Sequence, residues 1–183
     1  MIDQIECALA AIDSKYWTTG ELRYERMVQF ELYHQIRMLN VNEVELTPEY
    51  KKESRYFAEN PFSENIGDYI PDFLFHNVFD QSNQNVAIEI KDLNTNNMGK
   101  IHRDIKKLMC YCHSSANSLN YKIGILILYG DDFIPKLKRA KKYKIEIIRL
   151  FNYAYNPVEI WHIGTDKTVK RYKKEDMQRL GST

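Results

Sequence analysis

The sequence predicts an α/β fold built around a mixed β-sheet. Three observations carry that expectation. Lys122–Leu128 (KIGILIL) is a near-continuous apolar run, as in a strand buried on both faces. From Lys100 to Ile163, segments with helical period alternate with short apolar runs, the pattern of parallel strands joined by crossovers. Ile70–Phe75 and Val86–Ile90 flank the turn-rich NVFDQSNQN and read as an antiparallel hairpin with a long connection.

The elements follow in chain order. Ile2–Asp13 is a predicted helix, with Ile2, Ile5, Leu9 and Ile12 at helical spacing. A second helix is expected from Thr18 to Leu39, because Thr18 and Glu21 have capping-box spacing. Val41–Leu46 is a predicted strand, and residues 47–69, with Pro48, Pro61 and Gly67, a polar excursion. The hairpin comes next, then a polar loop at Thr95–Gly99. Lys100–His113 is a predicted helix with Ile101, Ile105, Leu108 and Cys112 on one face. After the Lys122–Leu128 strand come a basic helix at Phe133–Tyr143 and expected strands at Lys144–Leu150 and Val158–Ile163. Residues 164–183 form a basic tail.

Length and composition narrow the classes. With 183 residues, one domain is expected, its core spanning about 21–163. Mean hydropathy is −0.53, and no apolar run is long enough to span a membrane. The N-terminal segment carries acids early, unlike a signal peptide. Three Cys suit a reducing, cytoplasmic setting better than a disulfide framework. CYCH at 110–113 lacks the spacing of a zinc site, and no glycine-rich phosphate loop is present. Residues 1–130 hold 13 Lys and Arg against 18 Asp and Glu, a net of −5; residues 131–183 hold 13 against 7, a net of +6. The basic third, with Tyr172 inside a Lys/Arg cluster, points to an anionic polymer as partner.

The chemistry concentrates in IPDFLFH and VAIEIKD. Strand alternation puts Glu89 and Lys91 on one face, about 7 Å apart. Asp72 follows Pro71 at a strand start, and hairpin pairing brings it beside Glu89. Two adjacent carboxylates repel unless a cation lies between them, and open oxygen ligands suit Mg²⁺ or Mn²⁺. An E-x-K on a wet strand face is ordinary by itself; its combination with an Asp after Pro on the partner strand is not. In the preceding helix, Val28, Leu32, Ile36 and Leu39 form an apolar stripe, with Glu25 near its centre and Gln29 close by. A carboxylate facing the core needs a partner. Glu31, on the flank, is the alternative helix acid. His76, Gln29, Lys100, Arg103, Asp104 and Lys107 are weaker candidates for substrate contact.

A helix acid, PDFLFH, IEIKD and a following helix together resemble the PD-(D/E)XK nuclease superfamily. The resemblance covers Glu21 to about Leu128. It implies a restriction-endonuclease-like, three-layer α/β/α fold with a central mixed sheet, and Mg²⁺-dependent hydrolysis of phosphodiesters, with Mn²⁺ as substitute and DNA as the expected substrate. It implies that Asp72, Glu89 and the Ile90 carbonyl ligate the metal, that Glu25 binds it through water or holds a second ion, and that Lys91 positions the attacking water. A homodimer or a partner subunit stays open. The rival readings are a catalytically silent interaction domain on the same fold and an enzyme of small phosphoesters.

Overall fold

The computed structural model describes residues 1–18, 24–39, 45–48, 62, 70–76, 85–113, 119–153 and 157–181. Helices α1 (Ile2–Ala11), α2 (Lys15–Thr18) and α3 (Glu25–Met38) precede strands β1 (Glu45–Pro48), β2 (Phe73–His76) and β3 (Val86–Asp92). Helix α4 (Met98–Cys112), β4 (Ile123–Tyr129), α5 (Phe133–Arg139), α6 (Lys141–Phe151), β5 (Val158–Ile163), β6 (Val169–Tyr172) and α7 (Lys174–Gly181) complete the order. The chain is mixed α/β. Among the described residues, six strands form one mixed sheet in sequence order. β1–β2–β3 are antiparallel, β3–β4–β5 parallel, and β6 runs antiparallel at the far edge.

Strand alternation divides the sheet's apolar side chains between two cores. Ile88, Ile90, Ile125, Ile127, Trp161 and Ile163 face α1, α3 and Trp17. Ala87, Leu126, Leu128 and Ile160 face Ile101, Ile105 and Leu108 of α4 and Ile147 and Phe151 of α6. Both crossovers, through α4 and through α5–α6, step the sheet in the same direction. A shared crossover hand therefore leaves α4 and α6 on one face. Glycine at 124 makes this contact possible, because a Cβ there would meet Leu108 Cβ at 3.0 Å.

Several expectations need correction. Lys144–Leu150 is not a strand but the body of α6. Its apolar residues satisfy both periods over a short window, but Ile147, Ile148, Leu150 and Phe151 are buried while Ile145 is 54% exposed, which only a helix explains. Thr18 does not open the second helix: it ends α2, and α3 begins at Glu25 after Tyr24. Glu21, its expected capping partner, lies outside the described residues, as do Val41 to Val44 and most of 47–69. Among the described residues, the expected strand there is seen as Glu45–Pro48. Residues 164–183 are no mere tail, since they supply edge strand β6 and helix α7. The buried core reaches Ile5 at one end and Met177 at the other, beyond 21–163. Among the described residues no helix is long and apolar enough to cross a membrane.

Candidate metal centre

The register of the antiparallel pair sets the site. Phe73 pairs with Ile88 and Phe75 with Val86, so Asp72, one residue before β2, falls opposite Glu89. Pro71 lacks an N–H, and the ladder ends there. The Ile90 N–H, no longer met by β2, donates to Asp72 Oδ2 at 2.6 Å. The Ile90 carbonyl lies on the same strand edge and accepts from Lys91 Nζ at 2.9 Å.

Each neighbouring element adds a charge. Glu25 comes from the first turn of α3, where a carboxylate also favours the helix dipole. It accepts from Lys91 Nζ at 2.7 Å, while Asp72 Oδ2 lies 4.0 Å from the same ammonium. From the other side, α4 brings Lys107 Nζ to 2.6 Å from Glu89 Oε1 and 3.7 Å from Asp104 Oδ1. Lys107 also donates to the Ile70 carbonyl at 3.1 Å. Glu89 is 1% exposed. Its Oε1 meets Lys107 as an ion pair without hydrogen-bond geometry, and its Oε2 and Asp104 Oδ2 have no hydrogen-bond donor.

The electrostatics follow from this crowding. Four carboxyl groups (Glu25, Asp72, Glu89 and Asp104) crowd two ammoniums (Lys91 and Lys107), so ionising all four would leave an excess of two negative charges. Burial pushes the Asp72 carboxyl up to about 6, even though Lys91 and the Ile90 N–H oppose the rise. Burial and then the charge of Asp72 push Glu89 well above the carboxylate range. Burial also raises Asp104. Burial alone would lower both lysines, but the surrounding carboxylates outweigh it and hold them above their ordinary value. Each ammonium therefore stays charged at neutral pH.

The structure brings Asp72, Glu89, Ile90, Lys91 and Glu25 together, and Asp104 and Lys107 join them. Asp104 and Lys107, candidates flanking the apolar face of α4, turn inward, Lys107 against Glu89 and Asp104 against Lys107. Their i, i+3 spacing beside Ile105 and Leu108 was the available signal. Lys100 and Arg103 are exposed on α4. Gln29 lies in a groove on α3 next to Asp72. Glu31, the alternative helix acid, accepts from Gln35 within its own helix at 2.7 Å. His76 ends β2, and its side chain lies outside the described residues. Asn96 is an addition: it donates to the Asp92 carbonyl at 3.0 Å and reaches Glu25 Oε2 at 3.4 Å. Cys110 and Cys112 are buried, and burial pushes Cys110 up to about 12.

The donor set is hard oxygen: Asp72 and Glu89 carboxylates and the Ile90 carbonyl. With buried carboxyl oxygens lacking donors and more carboxyl groups than ammoniums, it fits one divalent cation. Among the described residues no group of three or more His, Cys, Asp or Glu side chains forms a ready-made metal cluster. The fit therefore rests on two carboxylates plus backbone. No family model, curated protein or solved structure matches the chain.

Proposed function

We propose that the chain is a divalent-metal-dependent nuclease of PD-(D/E)XK type on a restriction-endonuclease-like fold, with DNA as substrate. The observation that carries this reading is the Asp72–Glu89 pair, opposed across two antiparallel strands, with the Ile90 carbonyl and Lys91 on the same edge. Asp72, Glu89 and the Ile90 carbonyl would hold Mg²⁺ or Mn²⁺, with Glu25 holding it through water. When bound, the ion supplies Lewis acidity toward a phosphate oxygen and lowers the pKa of a water.

The protein's own groups do the rest. Lys91 is held by Glu25 and the Ile90 carbonyl, so its ammonium is fixed beside the carboxylate pair. Its raised pKa makes it a donor and not a base: it orients water and balances charge developing on the phosphate. Lys107 pairs with Glu89 from the α4 side and opposes the rise that burial imposes on that carboxyl. Asn96 limits the freedom of Glu25.

The test is cleavage of supercoiled plasmid and single-stranded DNA with Mg²⁺, Mn²⁺ or EDTA, alongside Lys91→Ala and Glu89→Gln. The expected result is metal-dependent cutting that either substitution lowers by two or more orders of magnitude. A folded protein that cuts with no metal and binds no divalent ion would refute the reading in favour of a silent interaction domain.

A further inference from the structure

The acid cluster opens into a groove of about 360 Å³ lined by Arg26, Gln29, Phe30, Tyr33, Phe73 and Asp72, with Pro48 at one end. Four of these residues, Arg26, Gln29, Phe30 and Tyr33, occupy i, i+3, i+4 and i+7 of α3. They form a second stripe beside the core stripe of Val28, Leu32 and Ile36. Their composition is not that of a solvated face. Phe30 is 63% exposed, so much of its ring is accessible to a ligand. The Tyr33 and Phe73 rings lie 16° from parallel with centroids 6.4 Å apart, so the wall is ring-lined. Gln29 offers both a donor and an acceptor, and Arg26 brings a cation.

The geometry points to a nucleobase site for an unpaired strand, with the base of the nucleotide beside the scissile phosphate in this groove. This deepens the nuclease reading and rests on it for the phosphate. Asp72 belongs to both the acid cluster and the groove, so a strand whose phosphate reaches Asp72 carries a base or sugar over Phe30 and Tyr33. The volume falls at the low end of small-ligand sites, roughly 300–1,000 Å³, enough for one base and far smaller than a duplex. A planar π-face stacks on rings whatever its sequence, while the Gln29 amide meets a base edge and the Arg26 cation suits an adjacent phosphate.

The test is binding of fluorescein-labelled oligothymidylate, its duplex with oligoadenylate, and an abasic oligomer of equal length, by anisotropy in Ca²⁺ and again in EDTA. Wild type, Phe30→Ala and Phe30→Trp are compared. Stacking is worth enough that Phe30→Ala should weaken oligothymidylate binding about 5- to 100-fold. It should leave the abasic oligomer unchanged, and Phe30→Trp should retain affinity. Phe30 is exposed, so circular dichroism should be unaltered. Equal binding of oligothymidylate by wild type and Phe30→Ala, equal binding of abasic and thymidylate strands, or preference for the duplex would overturn the site. If Phe30→Ala binds like wild type while Lys91→Ala abolishes cutting, the groove fails and the nuclease stands. If nothing is cut but binding depends on Phe30 and on the base, the groove stands and the nuclease fails.

Discussion

Removing a candidate metal ligand should make the metal-free protein more stable. In the fold, the Asp72 carboxyl titrates at about 6 instead of 3.8, chiefly through burial. The folded state therefore holds this proton more tightly than the unfolded state. Ionised Asp72 costs nothing below both values, costs progressively more as pH rises from about 4 to 6, and costs its full amount above that. A shift of this size corresponds to about 3 kcal/mol at pH 7 and ~0.5 kcal/mol at pH 4. Asp72→Asn keeps an oxygen to accept the Ile90 N–H but carries no charge. Urea unfolding in EDTA should find the variant more stable by about 2–3 kcal/mol at pH 7, with the difference shrinking toward zero near pH 4. Mg²⁺ should raise wild type toward the variant and leave the variant unmoved. A variant less stable than wild type at pH 7, with no Mg²⁺ response in either protein, would refute the argument that excess buried negative charge is the stressed feature of this site.

Two further outcomes test the surrounding architecture. Lys107→Gln strands Glu89 without its 2.6 Å cation and should cost about 3–5 kcal/mol in urea unfolding, with Lys107→Gln/Glu89→Gln recovering most of it. Ile147→Asp should cost more than about 3 kcal/mol or prevent folding, whereas Ile145→Asp should stay within ~0.5 kcal/mol. A strand over Lys144–Leu150 would put both residues on one face and make the two effects alike.

The sheet's core was readable because its strands are unambiguous in type. KIGILIL and VEIWHI have no helical alternative of comparable quality, and alternation fixes the faces of the hairpin strands while the structure supplies their register. The approach of Asp72 to Glu89 was therefore legible, as was the stripe carrying Glu25. The misreadings share one physical origin, namely packing partners that sequence does not display. KIEIIRL fits both periods, and packing against α4, α7 and the α5 junction decides between them. The basic residues of 164–183 read as a tail for an anionic partner, but Arg171 lies 2.9 Å from Glu159 and stacks over Trp161 at 4.7 Å, tying the edge strand down. Asp104 and Lys107 were placed at the surface because charged residues beside an apolar helical face usually are. Only the buried Glu89 beneath α4 turns them inward.

Among the described residues, the carboxylate pair straddles the seam with the fewest registered pairs. β2 meets β3 over three registered pairs, whereas β3 meets β4 over seven. Asp72 belongs to the short side of that seam, and Glu89, Ile90 and Lys91 to the long side. Peeling β2 away would separate the candidate ligands while leaving the parallel half of the sheet intact. Chemistry at this site would then fail before the fold does. An ion bridging Asp72 and Glu89 would act as a rivet across the seam, so that loading the centre and closing the sheet become one event.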